Sequence, residues 1–135
     1  MPRLISVAFT EPQVRDRSKT VTRRRGWWED KNGRRLLKPG DRLTLVRKAM
    51  GRKPGEPIVK VAEVEVVSVE RESLLRIYQN ERYGVEEMKR EGFPDLEPLD
   101  FISKYFVEAQ GMSPYAVITR IEWKYLDEQE GGTDG

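Results

Sequence analysis

Between Lys19 and Lys38 the chain sets Arg23, Arg24, Arg25, Arg34, Arg35 and Lys38 around two adjacent tryptophans, Trp27 and Trp28. Guanidinium and ammonium groups neutralise phosphates, and an indole face stacks on an unpaired base for about 1–3 kcal/mol per base. These residue types in one segment point to recognition of RNA, a nucleotide or a nucleoside. The tryptophans have a second reading, in which they pack a loop against the body of the protein.

The rest of the composition narrows the chemistry by exclusion. The 135 residues include no cysteine and no histidine. Disulfides, thiolate nucleophiles and cysteine-containing zinc sites are excluded, and the commonest metal ligand and general base are missing. Catalysis has to run on Lys, Arg, Asp, Glu, Ser, Thr or Tyr, and no metal or cofactor is expected.

Charge is unevenly spread. Residues 12–60 hold 16 Lys and Arg against 5 Asp and Glu, a net +11, whereas residues 61–135 hold 8 against 17, a net −9. The first half is the one suited to a polyanion. In the alternative reading the two halves neutralise each other through ion pairs and no partner is involved. A protein-interaction module, offering its acidic half to a basic partner, is a third reading, for which no docking motif is present. Nothing in the sequence specifies an oligomeric state. No apolar run approaches the ~20 residues of a membrane helix, and the first residues lead into a strand rather than a leader peptide, so a cytoplasmic protein with no membrane partner is expected.

These side chains need elements to position them. Leu4 to Phe9 reads as a strand halted by Thr10-Glu11-Pro12. Lys19 to Arg23 is β-branched but charged, which suits a strand end or loop at the mouth of a cleft. An irregular connection from Gly26 to Gly40 ends in the type II turn Lys38-Pro39-Gly40-Asp41, which feeds a strand over 42–46. A second loop covers 48–57. From Ile58 to Arg71 the apolar residues fall at 59 and 61, then 62, 64 and 66, then 67 and 69. The alternation changes phase twice, as bulges in a strongly bent barrel strand require. Residues 73–91 are weakly helical and are broken by Gly92-Phe93-Pro94-Asp95. From Glu97 a firmer helical period runs to a stop at Gly111, and 115–125 alternate as a terminal strand. Phe101, Tyr105, Phe106, Tyr115 and Trp123 fall in register with these periods and are expected in the core. One domain over residues 1–126 is expected, followed by a disordered acidic tail at 127–135.

The collinear order of Lys19-Thr20-Val21-Thr22-Arg23, Lys38-Pro39-Gly40-Asp41, Glu91-Gly92-Phe93 and the aromatic strand Ile118 to Trp123 resembles the ASCH domains of the PUA-like superfamily. The resemblance implies an α+β fold: a bent or closed β-barrel of about five to six strands flanked by two or three helices. It also implies a cleft in which the Lys-Thr-x-Thr and Glu-Gly-Phe segments face each other. Some members of that family resemble RNA binders or coactivator modules, one bacterial branch is an amidohydrolase of N(4)-acetylcytidine, and nuclease activity is ascribed to another. The chain differs from the amidohydrolase branch in its Arg-rich segment, its Trp27-Trp28 loop and its insertion around Gly51 to Pro57.

Carried over residue by residue, the resemblance makes Lys19, Thr22 and Glu91 the catalytic Lys, Thr and Glu. A Thr hydroxyl activated by a Lys amine is one of the few nucleophile pairs that this composition permits. Neighbouring arginines and desolvation would lower the Lys19 pKa, and Glu91 would orient the lysine or protonate a leaving amine. In the alternative, Glu91 pairs with Lys19 or an arginine, and the trio is a static anion-binding or structural site.

Overall fold

The computed structural model describes residues 2–126, and the tail expected at 127–135 lies outside the described residues. One mixed sheet curls into a half-barrel in the order β1 (Arg3–Ser6), β3 (Arg42–Val46), β4 (Lys60–Ser73), β5 (Val117–Tyr125) and β2 (Val21–Arg24). β1 runs parallel to β3, and the other pairings are antiparallel. The expected bent α+β barrel with flanking helices is present, with five strands and four helices, and β1 and β2 form its two open edges.

The curl is written into β4. Leu45 pairs with Ala62 and Val46 with Lys60, so Val61 is the extra residue of a first bulge. Val66 pairs with Trp123 and Ser68 with Glu122, which leaves Val67 as the extra residue of a second. These are the two places where the apolar alternation changes phase, and each bulge bends the strand and adds twist. The turn before β3 also forms as expected: Asp41 N–H donates to the Lys38 carbonyl at 3.1 Å, and Gly40 takes the positive φ of 95° that a type II turn demands.

Two apolar clusters result. Ile5, Leu43, Leu45, Val64, Val66, Ile121 and Trp123 fill the barrel, while Leu74, Ile77, Met88, Phe101, Phe106 and Ile118 lie beneath the helices. Phe101, Phe106 and Trp123 are core residues as expected, and Tyr105 is half-buried. Tyr115 departs from expectation: it is 77 % exposed, because β5 begins two residues later at Val117.

The helical stretch over 73–91 is not one helix. β4 runs on to Ser73, and α2 (Arg76–Gln79) and α3 (Glu81–Glu91) are separated at Asn80. Asn80 has extended backbone, and its side-chain oxygen accepts from Tyr83 N–H at 3.0 Å, an N-cap that starts a new helix. α1 (Glu11–Arg15) follows β1 after a short turn, and α4 (Pro98–Ile102) continues into a widened π-helical turn over Ser103–Glu108. Among the described residues no helix is long and apolar enough to cross a membrane.

Candidate functional site

β2 is an edge strand that pairs only with β5, and alternate residues therefore face opposite sides of the sheet. Arg23 lies opposite Arg120 and faces α3, whereas Thr22 and Arg24 share the other face. Lys19 precedes the strand. Its carbonyl accepts from Trp123 Nε1 at 3.1 Å and from the Tyr125 hydroxyl at 2.5 Å, which fixes the backbone where the side chain departs.

α3 supplies the opposing wall. Gly92, with φ 94°, closes the helix in a left-handed cap: its N–H bonds to Lys89 and that of Phe93 bonds to Met88. This cap leaves Glu91 as the last helical residue, with a main-chain carbonyl that has no partner within the helix. Lys19 Nζ donates to that carbonyl at 2.8 Å and to Glu91 Oε1 at 3.1 Å. A cation at a helix C-terminus is also favoured by the helix dipole.

Lys19, Thr22 and Glu91 are thus brought together as the resemblance implies. They line one cavity of about 440 Å³ with Arg23, Arg24 and the segment from Ser6 to Thr10. Five aromatic residues, Phe9, Phe93, Phe101, Tyr105 and Phe106, line it too, with Ala109 and Gln110. The Phe93 and Tyr105 rings lie 5.0 Å apart, and the exposed Phe9 ring lies 5.7 Å from Tyr105.

The ionic groups beneath the cavity form a buried network. Arg23 donates to Glu72 at 2.8 and 2.9 Å, to Glu87 at 2.5 Å and to Glu91 Oε2 at 3.1 Å. Arg120 clamps Glu87 through Nε at 2.7 Å and Nη2 at 3.0 Å, and Arg90 joins it at 2.8 Å. Burial opposes charge on Arg23, but Glu91, Glu72 and Glu87 outweigh it and hold the guanidinium above its ordinary pKa. Burial likewise acts to raise Glu87, yet Arg120, Arg23 and Arg90 bring it down to about 2. Tyr83, half-buried and donating to Glu72, is pushed up to about 12.

Lys19 behaves differently. Its burial lowers the pKa and prevails over Glu91, which acts the other way, while Arg24 and Arg23 add to the lowering. The Thr22 hydroxyl accepts from Arg24 Nε at 2.9 Å and keeps its own proton to donate. No hydrogen bond joins Lys19 to Thr22 among the described residues, and two of the three lysine N–H groups serve Glu91.

The other cations and tryptophans of the basic segment lie apart from the cavity lining. Arg25, Arg34, Arg35 and Lys38 are exposed. Trp27 packs against the barrel core, and one face of Trp28 is covered by the Arg35 guanidinium, 3.5 Å from the ring centroid. Both indoles, half-buried, thus make contacts within the protein. Arg23, expected among the phosphate-binding residues, is sealed inside by three carboxylates.

Glu72, Glu87, Arg120 and Tyr83 are members of the ionic network next to the candidate site that sequence reasoning missed. Tyr83, Glu87 and Glu91 recur every four residues and so form one stripe along α3, a polar period that was there to be read. No group of acidic side chains among the described residues is arranged to hold a metal ion.

Comparison with known proteins adds the fold and no more. No family model and no curated protein matches the chain. Among solved structures it is similar to protein EF3133 from Enterococcus faecalis V583, of family-model DUF984, with a TM-score of 0.63 at 14 % identity over 93 % of this chain and 80 % of that one.

Proposed function

We propose that the cavity between β2 and the end of α3 binds a nucleoside or nucleotide, free or as an unpaired residue of an RNA. The observation that carries this reading is the make-up of the cavity, which a cluster of aromatic rings lines together with Lys19, Thr22, Arg24 and Glu91. Aromatic walls hold a planar base, and a few fixed polar groups select among its edges. The volume of about 440 Å³ lies within the usual range for small-ligand sites. The motif order that resembles ASCH domains supports the same assignment. Titration calorimetry with cytidine and cytidine 5′-monophosphate tests it: saturable binding of at least one that weakens in Tyr105→Ala is expected, and the absence of binding by any nucleoside or nucleotide would overturn it.

A second reading, amide hydrolysis at the base of N(4)-acetylcytidine, is favoured by one observation, the buried Lys19 side chain, whose lowered pKa favours the neutral amine, in the same cavity as Thr22. In that reaction the Thr22 oxygen attacks the acyl carbon while its proton passes to the Lys19 amine, and the C–N bond breaks as the amine leaves with a proton. Water then cleaves the acyl-threonine ester and releases acetate. Lys19 has to turn from Glu91 toward Thr22 as the neutral amine, and the Arg24 N–H already on Thr22 Oγ1 favours the alkoxide that develops as the hydroxyl proton leaves. Release of cytidine that is lost in both Lys19→Ala and Thr22→Ala is the expected result. Release undiminished in either variant would refute the mechanism.

A further inference from the structure

Arg24 stands apart from every other charged group in the cavity. Lys19 is matched by Glu91, and Arg23 shares Glu91 and has Glu72 and Glu87 behind it. Arg24 is only partly exposed and makes two hydrogen bonds: Nε to Thr22 Oγ1 at 2.9 Å, and Nη2 to the Ser6 carbonyl at 2.5 Å. No carboxylate among the described residues pairs with it.

A guanidinium carries five N–H donors. Two of those on Arg24 are used, so both N–H groups of Nη1 and one of Nη2 have no protein acceptor among the described residues. The two bonds that exist tie the side chain to β2 on one side and to the end of β1 on the other, across the open seam of the half-barrel. The fork is therefore held in place before any ligand arrives. Burying a charge without a partner is costly, and a cavity that tolerates one is matched to a ligand that supplies the opposite charge. Burial accordingly lowers the Arg24 pKa, with only the more distant Glu91 acting against it.

We propose that the ligand of this cavity is an anion, a planar ring bearing a phosphate or carboxylate group whose oxygens accept the free N–H groups of Arg24. The ring follows from the aromatic lining and so rests on the reading given above, whereas the anionic group rests on Arg24 alone. Paired N–H groups meet two oxygens of a phosphate or carboxylate in the bidentate geometry that such groups prefer. Among nucleosides, the monophosphate rather than the neutral form is the ligand.

Calorimetry on the full chain with two matched pairs tests this: cytidine 5′-monophosphate against cytidine, and benzoate against benzamide. In each pair the ring is similar and the anion differs, so the two pairs separate phosphate from carboxylate. A roughly tenfold or greater preference for the anion in at least one pair is expected. Arg24→Gln should abolish that preference. Arg24→Lys, which keeps the charge and loses the paired donors, should reduce it severalfold and serves if the glutamine variant does not fold. No preference in either pair, or a preference unchanged in whichever variants fold, would overturn the proposal. Cytidine and its monophosphate binding alike, with benzoate no better than benzamide, would remove the anion and leave the base site standing. Benzoate preferred through Arg24 with no binding of cytidine or its monophosphate would do the reverse.

Discussion

Lys19 caps helix α3 from a different element, with Nζ 2.8 Å from the main-chain carbonyl of Glu91 and 3.1 Å from its carboxylate. Both groups are buried, and Glu91 keeps a second cation, Arg23, on its other oxygen. The two partners are therefore unequal. Glu91→Ala leaves Lys19 and part of Arg23 uncompensated and should cost about 3–5 kcal/mol. Lys19→Met leaves Glu91 still paired with Arg23 and should cost clearly less. Urea unfolding of the two variants checks the order.

The arginines of the basic segment divide in the same way between inside and outside. Arg23→Ala should unfold the protein or lower its melting temperature sharply, since three carboxylates lose their shared partner. Arg34→Ala and Lys38→Ala should leave stability within about 0.5 kcal/mol. If the exposed segment contacts RNA, each of the latter two lowers the slope of log K against log salt by roughly one. Filter binding over a salt series, beside thermal melts, separates the two classes.

Acid should weaken the network in a defined window. The folded-state pKa of Glu87 is lowered from 4.5 to about 2, so its ionised form stabilises the fold above 4.5 and that contribution is lost as pH falls through about 2. The contribution is on the order of 3 kcal/mol. Unfolding free energies measured from pH 5 to pH 2 should fall with acid, and the Glu87→Gln variant should show a shallower slope. Glu11, also brought down to about 2 by Arg47 and Arg15 at the surface, is separable by adding salt, which screens exposed pairs far more than buried ones.

Phe9 is 80 % exposed yet lines the cavity and lies against Tyr105. Its removal should therefore cost little stability and much ligand. Phe9→Ala is expected to shift the unfolding free energy by less than about 0.5 kcal/mol and to weaken nucleoside binding roughly tenfold or more. A melt and a calorimetric titration on the same sample decide it.

What could be read in the sequence was mostly what depends on local period. The phase slips beside Val61 and Val67 are visible because side chains alternate strictly, and they mark the two bulges that curl the sheet. The turn at Lys38 to Asp41 is visible because only glycine accepts its backbone angle at low cost. Lys19, Thr22 and Glu91 were placed together by a resemblance of motifs, since 72 residues separate Lys19 from Glu91 and no local rule links them. Glu87 was passed over because it sits among the charged residues Glu86, Lys89 and Arg90 of a weakly helical stretch, where nothing local distinguishes it. Only the packing of α3 against β2 and β5 shows that its carboxylate faces Arg23 and Arg120. The break at Asn80 was not read, because the helical signal on either side ran across it.

The pairing of β2 with β5 alone also fixes an order of events in the life of the chain. Residues 21–24 are made early, yet their only strand partner is 117–125, the last element of the fold. The carboxylates that neutralise Arg23 come 49, 64 and 68 residues after it. Until the final strand leaves the ribosome, Arg23 and Arg24 belong to an unanchored basic segment, and long loop closures have to be completed before either is enclosed. The cavity is therefore completed late: β1, β3 and β4 can pair before it exists, and a chain lacking β5 keeps these three strands but leaves β2, which carries Thr22, Arg23 and Arg24, without its strand partner.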